Sequence, residues 1–204
     1  GAQFDAFTDL VAGILRRAGL SPDGVHRRKR VDVVLPGYFR PTKEWDLLAV
    51  HEGKLIAAVE FKALCGPSFG NNYNNRVEEA VGSATDLLTA YREGGLGKSH
   101  PHPWLGFLYL LEEAPGSMSP VRVSEPHFPV DPRFREASYL KRCELTCQRL
   151  VLERLYSSAC LLASSRKEGA RGQYREPSAD LGFGQFAKAL EGQVVGRVGS
   201  GRGR

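Results

Sequence analysis

Cysteine is sparse in this chain, long apolar runs are missing, and its first residues do not read as a signal. The four cysteines, Cys65, Cys143, Cys147 and Cys160, contain no Cys-x-x-Cys pair, which argues against a zinc knuckle or a redox pair. Cys143 and Cys147 could share a helix face, but no histidine stands at a matching spacing, so all are expected to be free core thiols. His100 and His102 fall in the proline-broken stretch Ser99-His100-Pro101-His102-Pro103 and are expected at the solvated surface. No stretch nears the roughly 18 consecutive apolar residues of a spanning helix. Gly1-Ala2-Gln3-Phe4-Asp5 lacks the basic flank and apolar run of a secretory signal, which predicts a cytoplasmic protein.

What is present is ordinary globular usage, with 42% hydrophobic and 25% charged residues, against disorder or collagen-like repeats. A chain of 204 residues suits one hydrophobic core. The expected organisation is a single domain over residues 1–192 and a flexible tail over 193–204, because Gly196 to Arg204 is glycine- and arginine-rich and poor in apolar residues. The net charge of +5 is modest but uneven. His26-Arg27-Arg28-Lys29-Arg30 forms one cluster, a footprint that suits a polyanion and equally a solvated surface.

Periodicity predicts an α/β order. Phe4, Phe7, Val11, Ile14 and Ala18 mark a first helix. The basic cluster leads through Val31–Leu35 to a Pro36-Gly37 turn, and Trp45–Val50, Leu55–Phe61 and Trp104–Leu111 read as strands. Gly66 to Asn75 reads as a glycine- and asparagine-rich loop, followed by a helix carrying Val77, Ala80, Val81, Ala84, Leu88 and Tyr91. Leu140 to Leu162 reads as one long helix holding three of the cysteines, and Phe183 to Leu190 as a last short one.

The chemistry is carried by Asp46 and by Glu60-Phe61-Lys62, charged residues interrupting strands that are otherwise apolar on both faces. An ionised group there costs several kcal/mol unless it is paired or holds a metal. Register decides whether these residues meet. A two-residue turn at Glu52-Gly53 would set Val59 opposite Asp46 and send Glu60 to the other face. A three-residue turn, His51-Glu52-Gly53, sets Ala58 opposite Asp46 and keeps Asp46, Glu60 and Lys62 on one face; this register is the expected one. Two acids on one face can hold a divalent cation, with magnesium favoured by oxygen ligands, and a lysine beside it can position or deprotonate water. An edge salt bridge in a plain hairpin would leave the same residues in the sequence.

These residues resemble the PD-(D/E)xK nuclease core, with Trp45 where that pattern has proline. Beyond them, Leu35-Pro36-Gly37-Tyr38-Phe39-Arg40-Pro41, Trp45-Asp46-Leu47-Leu48, Val59-Glu60-Phe61-Lys62, Gly66-Pro67-Ser68-Phe69-Gly70-Asn71-Asn72-Tyr73-Asn74-Asn75-Arg76 and Arg149-Leu150-Val151-Leu152-Glu153-Arg154-Leu155-Tyr156 resemble the XhoI family of restriction endonucleases over nearly the whole chain. The resemblance implies a central mixed β-sheet flanked by helices, and a homodimer on double-stranded DNA. It also implies cleavage of CTCGAG after the first C with 5′ overhangs, Mg2+ held by Asp46, Glu60 and Phe61, catalysis by Asp46, Glu60 and Lys62, and a cognate DNA methyltransferase as functional counterpart. Family members carry a further N-terminal segment. Asn71, Asn72, Asn74 and Arg76 are expected to read bases, since Asn pairs with adenine and Arg with guanine, while Asn75 with Glu78 fits a helix cap. Glu78 and Glu79 are expected to complement the dipole of the helix they would begin, with a water-mediated metal contact open to one of them. Arg40 and Lys43 are expected at phosphates or bases, and Arg27, Arg28, Lys29 and Arg30 at backbone phosphates. The rival readings are a structure-selective repair or junction nuclease with the same core, and a non-catalytic DNA-binding module.

Overall fold

A computed structural model of the chain describes residues 4–27 and 32–199. Arg28, Lys29, Arg30 and Val31 lie outside that range. Helix α1 (Asp5–Arg17) leads to the short strand β1 (Val25–Arg27), and a two-stranded hairpin follows, β2 (Val34–Pro36) with β3 (Thr42–Glu44). Next come β4 (Leu47–His51), β5 (Lys54–Leu64), helix α2 (Phe69–Arg92), β6 (Trp104–Glu112) and the single turn α3 (Pro115–Met118). Helix α4 (Tyr139–Leu152), β7 (Ser158–Ser164), the turn α5 (Arg166–Gly169) and helix α6 (Phe183–Val198) complete the order.

The main sheet has five strands in the order β1-β4-β5-β6-β7. Its first three strands pair antiparallel and its last three parallel, so it is the mixed sheet of the expected α/β class. Strands β5, β6 and β7 are buried along both faces, as interior strands of a helix-covered sheet are. One face packs on α2 and α4, through Leu48, Ala58, Phe107, Leu87 and Leu150. The other packs on α1 and α6, through Leu47, Val59, Leu108, Leu15 and Phe186. No helix among the described residues is long and apolar enough to cross a membrane.

Three expected elements change. The asparagine-rich segment is not a loop, because α2 starts at Phe69. Phe69 and Tyr73 are buried at i, i+4, and they continue the stripe of Ala80, Ala84 and Leu87. Burying those two rings contributes roughly 1.5–3 kcal/mol each, enough to offset helix propensities that disfavour Asn by about 0.7 and Gly by about 1 kcal/mol. The long helix over 140–162 ends at Leu152, and the chain reverses through Arg154, whose φ of 57° is left-handed. Ala159 to Ala163 are all buried, and such a short apolar run suits an interior strand as well as a helix. Cys160 therefore lies in β7; Cys143, Cys147 and Cys160 are free buried thiols, whereas Cys65 is only half-buried. Finally, the tail does not begin at 193. Helix α6 runs to Val198, with Phe186, Leu190 and Val194 fully buried in one i, i+4, i+8 stripe and Gln193 donating to the Ile56 carbonyl.

Candidate functional site

The hairpin joining β4 to β5 sets the geometry. His51 pairs with Lys54 and Val50 with Leu55 across a two-residue turn, with φ of 50° at Glu52 and 72° at Gly53. That left-handed pair is what a tight hairpin needs, and glycine supplies it most cheaply. The three-residue turn expected from the sequence is thus not the one formed. A bulge then shifts the register, so that Ala49 pairs with Ala57, Leu48 with Ala58 and Leu47 with Val59. One extra residue on the long strand restores what the tight turn alone would have lost. Continued by one position, the register sets Asp46 across from Glu60, on the face of Leu48 and Ala58.

Strand β4 begins at Leu47, and Asp46 just before it completes the ladder with its side chain: its Oδ2 accepts from the Phe61 backbone N–H at 2.7 Å. The carboxyl keeps an exposed edge in a recess of the protein. Desolvation there, and then the Glu60 charge, hold its pKa above the ordinary aspartate value. Glu60 is only 3% exposed. Its Oε1 lies 2.5 Å from the Lys62 ammonium and its Oε2 2.6 Å from that of Lys43. A buried carboxylate is tolerable because both oxygens are matched by charge. Burial pulls the Lys62 pKa down, but the Glu60 carboxylate outweighs it and the net shift is upward. For Lys43, burial prevails over the Glu60 contact and the net shift is downward.

Lys43 is a correction to the sequence reading. Its ammonium does not project outward to a duplex. It turns into the site, also donating to the Glu44 carbonyl at 2.9 Å and lying 4.3 Å from the centre of the Trp45 ring. Alternation along β3 gives the reason, since Thr42 and Glu44 are exposed and Lys43 between them is not.

The α2 residues separate by helical face. Asn71, Asn74 and Asn75 are exposed, and Asn75 is mid-helix, so it is no cap. Asn72 donates to the Cys65 carbonyl at 3.0 Å, which ties α2 to the end of β5. Arg76 turns toward the site, with Nη1 3.0 Å from Glu79 Oε2, while Glu79 lies 3.6 Å from Lys62. The Arg76 Nε is buried without a hydrogen-bond partner. Glu78 and Glu79 lie two turns or more inside α2, beyond the first turn where the helix dipole acts; Glu79 joins the site chain through Arg76 and Lys62 instead. Its spacing of one helical turn from Arg76 is the signal in the sequence, and it becomes legible only when α2 starts as early as Phe69.

Other expected residues lie apart from this cluster. Arg27 pairs with Asp9 of α1. Arg40 donates to Asp86 at 2.7 Å. His100 is not a free surface histidine, since its Nε2 accepts from the Leu55 backbone N–H at 2.8 Å and so helps fix the start of β5.

Phe61 faces the opposite side of the sheet, stacked on Phe4 at 5.7 Å, so only its backbone can serve Asp46 or a cation. Among the described residues no group of three or more His, Cys, Asp or Glu side chains has metal-binding geometry. The carboxylate donors present are a pair, Asp46 and Glu60. An oxygen-only pair suits magnesium, which keeps several waters and takes the rest of its shell from substrate phosphate.

The sequence matches the model of the restriction endonuclease XhoI family over residues 1–176. This chain belongs to that family. It is 50% identical to the type II restriction enzyme BstVI of Geobacillus stearothermophilus over 93% of this chain and 86% of the relative. It is 51% identical to the type II restriction enzyme XhoI of Xanthomonas vasicola over 75% of this chain and 61% of the relative. Identity to the type II restriction enzyme AbrI of Azospirillum brasilense is 54%, over 61% of this chain and 55% of the relative. No solved structure matches the chain. As a member of the family it is a type II site-specific deoxyribonuclease.

Proposed function

We propose that the chain makes a magnesium-dependent double-strand cut in CTCGAG, after the first C of each strand, and that Asp46, Glu60 and Lys62 carry the reaction. The observation that supports this most is the meeting of two carboxylates and a lysine on one sheet face, produced by a bulge that a plain hairpin would not need. A magnesium ion held by Asp46 and Glu60, with the Phe61 carbonyl as a further oxygen, would offset charge on the scissile phosphate and acidify a bound water. The hydrogen bond from the Phe61 N–H fixes the Asp46 carboxylate through Oδ2, so that Oδ1 is the oxygen a cation would take. Lys62, already hydrogen-bonded to Glu60, is placed to orient the attacking water and steady the developing negative charge. Lys43 holds the other Glu60 oxygen and keeps that carboxylate in its rotamer.

Arg76, with an unpartnered buried Nε, is the best-placed phosphate or base donor on α2. Asn71 and Asn74 offer amides on the exposed face, and Asn72 contacts DNA only if it leaves Cys65. Arg27, Arg28, Lys29, Arg30 and Arg40 are proposed as phosphate contacts that position the duplex. A palindrome read with the same side chains on each half calls for a homodimer. A cognate methyltransferase would protect host DNA, and the cytoplasm is where such an enzyme meets incoming DNA. The function is tested by incubating the protein with plasmid DNA in magnesium and sequencing the fragment ends. Ends at CTCGAG support the reading. Magnesium-dependent cuts at scattered or structure-defined positions would favour a repair-type nuclease, and no cutting would favour a binding module.

A further inference from the structure

Tyr38 and Phe39 stand out as large apolar side chains left at the surface beside a catalytic site, 55% and 71% exposed. They sit at the tip of the β2–β3 hairpin, their rings edge to face at 5.0 Å. The tip is held rigidly from below. Asp86, a buried carboxylate of α2, accepts from the Tyr38 N–H at 2.7 Å, the Phe39 N–H at 2.8 Å and the Arg40 Nε at 2.7 Å. The approach is so close that a Cβ on Gly37 would lie 2.5 Å from an Asp86 oxygen. Burying a charge to fasten a tip whose own side chains stay exposed is costly, which points to a function for what the tip displays.

We propose that Tyr38 and Phe39 form a wedge that stacks into a base step of the bound duplex, close to the scissile phosphate. The inference rests on the reading of Glu60 as the acid at that phosphate. Lys43, four residues beyond Phe39, touches Glu60 with its ammonium, and the Phe39 backbone lies within about 14 Å of the Lys43 backbone along the chain, roughly four base pairs of duplex. Arg40 flanks the rings with its side chain 46% exposed, and cations beside aromatic faces are the chemistry that binds unstacked bases. A second copy of the chain is the poorer occupant. Two aromatic side chains bury about 300–500 Å², so the pairs of two copies together reach about 600–1,000 Å², short of the ~1,200 Å² total of a stable interface. Aromatic wedges in DNA need only one base step, which they open and kink.

The test uses the full chain in calcium, so that DNA is bound without cutting, and duplexes containing CTCGAG with 2-aminopurine placed in turn at each adenine in and beside the site. Wild-type protein should raise the fluorescence at one step. Phe39→Ala should abolish that rise and weaken binding about tenfold or more, with Tyr38→Ala weaker in the same direction. An abasic position at the affected step should restore the affinity of Phe39→Ala, which loss of a structural contact would not allow. The exposure of Phe39 means its replacement should leave the melting temperature unchanged. No fluorescence rise with wild-type protein at any position would overturn the proposal. So would a Phe39→Ala variant that matches wild type, or a loss of affinity that tracks loss of self-association in DNA-free sedimentation. The reading of Glu60 is judged separately, by magnesium cleavage with Glu60→Gln, because the wedge is measured without cutting.

Discussion

Glu60 and Phe61 are adjacent on β5 and each is 3% exposed, yet they belong to two different kinds of protein interior. Phe61 looks toward α1 and α6, where the buried side chains are apolar and the contacts are interchangeable in kind: Phe4, Leu108 and Phe186 need only shape. Glu60 looks toward the hairpin and α2, where Lys43, Lys62, Asp46, Arg76 and Glu79 form a chain of charges. Burial alone therefore says little about purpose. Both faces stabilise the sheet through apolar cores, but on the Glu60 face that core is interrupted by a charged cluster which the sheet holds in place.

The contrast can be broken most forcefully from the charged side. Glu60→Gln, Asp46→Asn and Lys62→Ala should each lower cleavage by roughly 10²–10⁴-fold while DNA binding in calcium persists. A variant with near-normal turnover would remove that residue from the mechanism. On the apolar side, Phe186→Ala should cost about 3–5 kcal/mol in urea unfolding, with cleavage per folded molecule unchanged. If instead it altered cleavage by folded protein, the two faces would not be separable as drawn.

Intermediate effects sharpen the boundary. Lys43→Met should change magnesium affinity, measured by calorimetry, by about 10–100-fold, the size typical of groups that orient metal ligands. No change would assign Lys43 to packing on Trp45. Asp86 gives a pH test. Burial raises its pKa, but the Phe39 N–H, Arg40 and the Tyr38 N–H outweigh that and leave it lowered. A carboxyl depressed on folding stabilises above its unfolded pKa and loses that contribution as pH falls through the folded one. The stability gap between wild type and Asp86→Asn should thus be full at pH 7 and shrink below about pH 4, where an ordinary aspartate takes up its proton and the depressed Asp86 follows. The smallest effect is expected for Arg76→Ala, which should reduce the salt dependence of DNA binding by about one unit of log-log slope.

How much of this was legible in the sequence differs by region for a physical reason. The charged trio was visible because ions interrupting apolar strands are expensive anywhere. Their meeting on one face was also foreseen, but through the wrong turn, since a bulge leaves no mark in hydrophobic alternation when Leu55, Ile56 and Ala57 are all apolar. Composition misled at Gly70 to Asn75, where residues that favour turns are carried into a helix by Phe69 and Tyr73.

Local pattern and residue chemistry are enough to read the α/β class, the family and the charged residues that interrupt β4 and β5, because each of these is written in neighbouring positions. Tertiary structure alone decided that Lys43 turns inward to Glu60, that Arg76 and Glu79 extend the site, and that Asp86 fastens the Tyr38–Phe39 tip from 47 residues away. Those contacts join segments far apart in the chain, and no local preference encodes a partner that only packing brings near.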